Sequence, residues 1–197
     1  MKLIIVRHGE TLANLNGIIQ GQFNSPLTQN GIEQAKKVSQ RLKDMKIDFA
    51  FSSDLDRTMD TCIEILKFHK EVKLIPTPIL REQAKGIFDG KTREERDKIL
   101  KNENIYPEWC PEGGESLIEV WEKVIPFLEK IKKEHSDKNI LLVSHGGPIS
   151  CLLTYLQNKD IQDFKDYLPK ENTAISIVNI EKDKIRFEVL NCSKHLQ

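Results

Sequence analysis

The chain has 197 residues, and its 30 Lys and Arg balance its 30 Asp and Glu, so the formal net charge is zero. Bulk charge therefore points to no nucleic-acid partner and no anionic membrane surface, and any anion binding must come from local placement of basic groups. The length suits one domain with a modest insertion and a core that needs no staples.

The four cysteines, Cys62, Cys110, Cys151 and Cys192, lack the short spacing of a metal knuckle or redox motif, and are expected to be free thiols in a reducing compartment. The apolar run near Met1 is too short for a signal peptide or a membrane span, and no other long apolar stretch occurs. The expectation is a cytoplasmic protein with no membrane partner.

In chain order, Leu3-Ile4-Ile5-Val6 predicts a strand buried on both faces, ending at Arg7-His8-Gly9. Residues 28–43 predict a helix capped by Thr28, with Ile32, Ala35, Val38, Ser39 and Leu42 on one face. Phe49-Ala50-Phe51 predicts a second strand, ending at Ser52-Ser53-Asp54, and residues 56–69 predict a helix. Residues 82–115 are dense in charge and predict an excursion from the sheet, with a charged helix near 92–101. Residues 116–135 predict a helix opened by a Ser116/Glu119 capping box, with Pro126 as a point for a kink. Ile140-Leu141-Leu142-Val143 predicts a third strand ending at Ser144-His145-Gly146-Gly147, followed by a short helix over 148–156. Alternation in 174–178 and 185–189 predicts a closing antiparallel pair. The pattern describes an α/β fold: one three-layer domain over 1–197, a mostly parallel central sheet with helices on both faces, and a charged lid at about 82–115.

Ligands in open α/β sheets bind beyond the carboxyl ends of the strands, where Arg7, His8, Arg57 and His145 would converge. Gly9 would let the backbone approach a ligand closely. Arg7 offers a planar fork for phosphate oxygens, and a neutral His8 can attack phosphorus through one ring nitrogen if the other is held as a donor. Arg57 has an ordinary alternative, a helix-start ion pair with Asp54 or Asp60. Glu82, in Leu80-Arg81-Glu82, gains meaning only from the other motifs.

Taken together and in order, the motifs resemble the histidine phosphatase superfamily, also called the phosphoglycerate mutase-like family. They are Arg7-His8-Gly9-Glu10-Thr11 with Asn14, Gln20-Gly21, Ser25-Pro26-Leu27-Thr28 with Gly31 and Gln34-Ala35, Ser52-Ser53-Asp54-Leu55 with Arg57 and Thr61, Leu80-Arg81-Glu82 with Gly86, Pro111 with Gly113-Gly114-Glu115-Ser116, and Val143-Ser144-His145-Gly146. The resemblance implies His8 as the phosphorylated nucleophile and Arg7, Arg57 and a cationic His145 as the phosphoryl pocket. It implies Glu82 as the acid for the leaving oxygen and then the base for water. Asn14, Gln20 and the backbone at Gly21 and Gly146 are implied as further phosphate donors. No metal and no cofactor are implied, because positioned positive charge suffices for phosphoryl transfer.

Three positions depart from the family pattern: Asn24 replaces a common Asp, Lys85 a common aromatic, and Asp89-Gly90 the usual Glu-Gly. They lie near the rim, where Lys85, Lys91, Arg93 and Arg96 are the candidate specificity residues. The leading expectation is a phosphatase acting on a small phosphorylated metabolite. A cofactor-dependent phosphoglycerate mutase is the alternative, disfavoured by a short excursion without an adjacent Arg-Arg pair. A non-catalytic phospho-ligand binding module is the alternative of another class, disfavoured because nucleophile and acid are both present. The sequence leaves monomer or homodimer undecided.

Overall fold

A six-stranded sheet forms the centre of the protein in the computed structural model, which describes residues 1–100, 107–182 and 184–197. The strands are β1 (Lys2–Arg7), β2 (Phe49–Ser52), β3 (Leu74–Pro76), β4 (Asn139–Ser144), β5 (Ile175–Glu181) and β6 (Lys184–Cys192). They lie in the order β3-β2-β4-β1-β5-β6. The four from β3 to β1 pair in parallel, and β5 and β6 join by antiparallel pairing. The helices are α1 (Leu12–Leu15), α2 (Gln29–Leu42), α3 (Asp56–Leu66), α4 (Arg93–Leu100), α5 (Leu117–Glu134) and α6 (Gly146–Leu156).

The unbroken apolar runs of β1 and β4 are explained by helices on both faces. Leu3, Ile5, Ile140 and Leu142 pack in one cluster with Val120, Val124 and Leu128 of α5 and Leu152 of α6. Ile4, Val6, Leu141 and Val143 pack in the other with Val38 and Leu42 of α2 and Cys62 and Ile65 of α3. Each such side chain contributes roughly 1.5–3 kcal/mol by leaving water.

Helix starts follow from their caps. The Thr28 side chain accepts from the Gly31 N–H at 2.9 Å and opens α2. Ser116 and Glu119 form the expected capping box of α5, which runs on through Pro126. The structure shifts several boundaries: α6 opens at Gly146 rather than 148, α3 ends at Leu66 rather than 69, α4 opens at Arg93 rather than 92, and β5 and β6 extend to Glu181 and Cys192 rather than 178 and 189. The short strand β3, the single-turn α1 and the 3-10 segments Pro78–Leu80, Gly86–Phe88 and Ile161–Tyr167 have no counterpart in the sequence reading.

The charged excursion is tied down at its near side. The Ile19 N–H donates to the Lys91 carbonyl at 2.8 Å, Gly90 N–H to the Ile19 carbonyl at 2.9 Å, and Arg93 N–H to the Gly17 carbonyl at 3.3 Å. Its two glycine motifs meet: Gly86 has φ +54°, and a Cβ there would lie 2.5 Å from the Gly114 nitrogen. That contact and the positive φ exclude a side chain at Gly86, and a Cβ on Gly114 would lie 2.6 Å from Pro111 Cγ and 2.7 Å from the Ala84 carbonyl oxygen. Because β1, β2 and β4 are parallel, their carboxyl ends and the excursion come to the same edge of the sheet.

Candidate active site

A cleft of about 990 Å³ opens at this edge, lined by Arg7, His8, Arg57, Glu82 and Gly146, with Asn14, Gln20 and Gly21 beside them. His8 follows β1 and is buried. Its Nδ1 lies 2.7 Å from the Gly9 carbonyl oxygen. A carbonyl can only accept, so Nδ1 carries the proton and Nε2 holds a free lone pair. Burial, and then Arg7 and Arg57, hold the His8 pKa well below the usual imidazole value.

His145, the N-cap of α6, lies with its ring 5.2 Å from that of His8. Arg57 Nε donates to His145 Nδ1 at 3.2 Å, which leaves the proton on Nε2, 2.8 Å from Ser53 Oγ. Burial, and then Arg57, push the His145 pKa well down. The cationic His145 of the sequence reading is thereby corrected: an imidazole that accepts from a guanidinium in a buried, positively charged setting is neutral.

Arg57 is only 1 % exposed. Beyond His145 it donates from NH1 to the Phe23 carbonyl at 2.9 Å and from NH2 to the Gly21 carbonyl at 2.8 Å. Arg7 NH1 donates to the carbonyls of Pro169 and Lys170, both at 3.1 Å, while its Nε is buried without a partner. Burial lowers both guanidinium pKa values, that of Arg57 to about 10, with Glu82 opposing the shift. Among the described residues neither arginine forms a salt bridge. A buried cation and a half-buried one beside it, both held by carbonyls, are costly unless an anion completes them. The ordinary alternative for Arg57, a helix-start pair with Asp54 or Asp60, is not formed; Asp54 is paired with Arg81 instead.

Glu82 faces the same cleft. Its Oε1 accepts from the Gln83 N–H at 2.9 Å and from the Gly147 N–H at 3.1 Å. The second bond places the carboxylate at the positive end of α6. Asn14 closes the capping box of α1, and its Oδ1 accepts from the Thr11 N–H and from Asn172 Nδ2. Asn14 lines the cleft, and among the described residues its Nδ2 makes no hydrogen bond. Gln20 Oε1 is buried without a partner.

Two further expectations need correction. A Cβ on Gly9 would lie 2.6 Å from the Gly31 carbonyl oxygen, so Gly9 makes room for α2 and not for a ligand. Of the four rim candidates, Lys85, Arg93 and Arg96 line the cleft, whereas Lys91 does not. Lys91 serves through its carbonyl, which holds Ile19. Trp109 lines the cleft, and Tyr106 lies outside the described residues. Sequence reasoning missed the opposite wall, where Phe164, Lys165, Leu168, Lys170 and Asn172 line the cleft. Asn172 Nδ2 also donates to the His8 carbonyl at 3.0 Å. Among the described residues no three His, Cys, Asp or Glu side chains group as metal ligands, and no helix is long and apolar enough to cross a membrane.

A mostly parallel α/β sheet with two histidines and two arginines at its carboxyl edge defines a phosphate-handling class of enzyme. The sequence profile of the histidine phosphatase superfamily (branch 1) matches residues 3–193, and the chain belongs to that family. Phosphoserine phosphatase 1 of Hydrogenobacter thermophilus is 31 % identical over 203 residues, covering 100 % of this chain and 94 % of its own. Adenosylcobalamin/alpha-ribazole phosphatase of Escherichia coli is 32 % identical over 164 residues, 79 % of each chain. The solved structure of Bacillus stearothermophilus YhfR superposes with a TM-score of 0.91 at 22 % identity, covering 100 % of this chain and 99 % of that one, and so shares the fold. The protein is a phosphatase of the histidine phosphatase superfamily.

Proposed function

We propose that the protein hydrolyses the phosphate monoester of a small metabolite through a phosphohistidine on His8. The observation that carries this reading is the tautomer of His8: with Nδ1 donating to the Gly9 carbonyl, the Nε2 lone pair is free, near Arg7 and Arg57, neither of which has a carboxylate partner among the described residues. In the first step His8 Nε2 attacks phosphorus and the bond from phosphorus to the ester oxygen breaks. Glu82 gives its proton to that oxygen, and the alcohol leaves. In the second step Glu82 takes a proton from water, the water oxygen attacks phosphorus, the N–P bond breaks, and inorganic phosphate departs. Arg7, Arg57, Asn14 and Gln20 hold the equatorial oxygens throughout. Neutral His145 donates through Nε2 once the phosphoryl group displaces Ser53 as its partner. The relatives named above act on esters of two different alcohols, which supports the class of reaction and leaves the alcohol to the lid.

Glu82→Gln tests the assignment of the acid. Single-turnover phosphorylation by alkyl phosphates should slow by about 10²–10⁴-fold, the range of general acid catalysis. Phosphorylation by nitrophenyl phosphate, whose leaving group needs little protonation, should slow far less. Equal slowing across leaving groups removes Glu82 from the acid role and points to Asp89.

A further inference from the structure

The antiparallel ladder between β1 and β5 continues past the end of β1. Arg7 N–H donates to the Ala174 carbonyl and Thr173 N–H to the His8 carbonyl, both at 3.2 Å. Thr173 is fully buried and takes a left-handed conformation, with φ +55°. That conformation is costly for a β-branched residue and persists only where its surroundings fix it. Here they do: the N–H is held by His8, and Oγ1 lies 3.0 Å from His195 Nε2. The preceding side chain, Asn172, is thereby brought to the nucleophile.

Asn172 Nδ2 carries two protons, and two acceptors stand within reach. One is the His8 carbonyl at 3.0 Å, and the other is Asn14 Oδ1 at 3.3 Å. The Thr11 N–H, which can only donate, meets the same Oδ1 at 3.2 Å. Asn14 therefore keeps its oxygen toward these two donors. The His8 backbone is held at both polar groups, its N–H by the Ser144 carbonyl at 3.1 Å and its carbonyl by Thr173 and Asn172. With both Nδ2 protons engaged, Asn172 has only Oδ1 left, an acceptor that gives a phosphate anion nothing to bind. It lines the cleft as a support for other groups and not as a phosphate ligand.

We propose that Asn172 is a positioning residue: it fixes the amide of Asn14 against His8, so that the donor for the phosphate oxygens and the attacking Nε2 keep one spacing. This role rests on the phosphohistidine reading and adds to it a residue that makes no contact with the phosphoryl group. A misplacement of about 1 Å between such groups can cost about 10²-fold in rate.

Vanadate, bonded to Nε2 in the five-coordinate geometry, reads that spacing. Inorganic phosphate, which forms no bond to His8, reads chiefly the charge of the pocket. Affinities for both are measured in the parent, Asn172→Ala, Asn14→Ala and the double variant; affinities, unlike rates, do not fall with a smaller folded fraction. Asn172→Ala should weaken vanadate by about 10-fold or more and phosphate by less than about 3-fold. In the Asn14→Ala background, where no amide remains to be placed, the same change should weaken vanadate by less than about 3-fold. Asn172→Ser, whose hydroxyl has one proton and serves only one of the two acceptors, should repeat the pattern and replaces Asn172→Ala if that variant does not fold. The same loss of vanadate affinity in both backgrounds, an equal loss for vanadate and phosphate, or no loss at all overturns the positioning role. If the parent still forms phosphohistidine, the phosphatase reading stands. A parent that binds neither anion and forms no phosphohistidine contradicts that reading, and the role with it.

Discussion

Arg81 grips Asp54 with two parallel hydrogen bonds, Nε to Oδ1 at 2.6 Å and NH2 to Oδ2 at 2.5 Å. The pair joins two loops that share no secondary structure. Asp54 follows Ser53, whose Oγ meets His145, and Arg81 precedes Glu82. Ser144 Oγ donates to the Leu80 carbonyl at 2.7 Å and fixes the same stretch from the end of β4. The orientation of Glu82 therefore depends on a partner outside the cleft. The Arg81 hydrogen bonds hold the Asp54 carboxyl below the usual carboxylate range.

Arg81→Met should act on chemistry through position. Phosphorylation by alkyl phosphates should fall about 10-fold as the acid loses its aim, and nitrophenyl phosphate should be affected less. Because Arg81 is partly exposed, the stability loss should stay under about 1 kcal/mol. An equal loss for good and poor leaving groups would show that the pair does not work through Glu82.

The buried imidazoles set the response to acid. His8 and His145 lie well below the ordinary value of 6.5, and burial, with Arg41, holds His195 at about 4. Above 6.5 they are neutral in both folded and unfolded chains and contribute nothing to pH dependence. As pH falls below 6.5 the unfolded chain takes up protons first, so stability is lost between there and the depressed folded values. Urea unfolding should show a falling midpoint from pH 6.5 to 4, and His195→Gln should lessen the fall. A flat midpoint across this window contradicts neutral burial. Since His8 is already neutral, kcat/KM should show no inflection near 6.5 from its deprotonation.

Gly9 and Gly31 give a test of packing. The Gly9 N–H donates to Thr61 Oγ1 at 3.0 Å, and the carbonyl of Gly31 occupies the place of a Cβ. Gly9→Ala should cost about 1–3 kcal/mol through overpacking and should misplace His8, with activity falling more than stability explains. Parent-like thermal unfolding of the variant would contradict the close approach.

The charge in the cleft is supplied by side chains, so exhaustive chelation should leave turnover unchanged, and vanadate, which can take up the geometry of the transferring phosphoryl group, should inhibit. Activity lost in chelator and restored by one divalent ion would require a different mechanism.

Much of the centre was legible in the sequence because its signals are local. The runs of β1 and β4 are apolar at every position since both faces are covered, and the α5 start is marked by Ser116 and Glu119. The strand β3 was not, being three residues long and closed by Pro76. The wall from Phe164 to Asn172 was illegible for another reason. Lys165, Lys170 and Asn172 look like any solvated segment, and only the tertiary fold carries them to β1. The tautomer of His145 likewise depends on Arg57, 88 positions away. The roles of the rim basic residues were unreadable because sequence spacing does not separate Lys85 and Arg96, which line the cleft, from Lys91, bound through its backbone.

Trapping the phosphoenzyme tests the central proposal most directly. The parent protein, quenched during turnover of a labelled phosphate ester, should carry label that is acid-labile, base-stable and located on His8. Folded His8→Ala should carry none and should lose turnover by about 10³-fold or more, as expected for removal of a nucleophile. Label on a residue other than His8, or full turnover by folded His8→Ala, would contradict the mechanism.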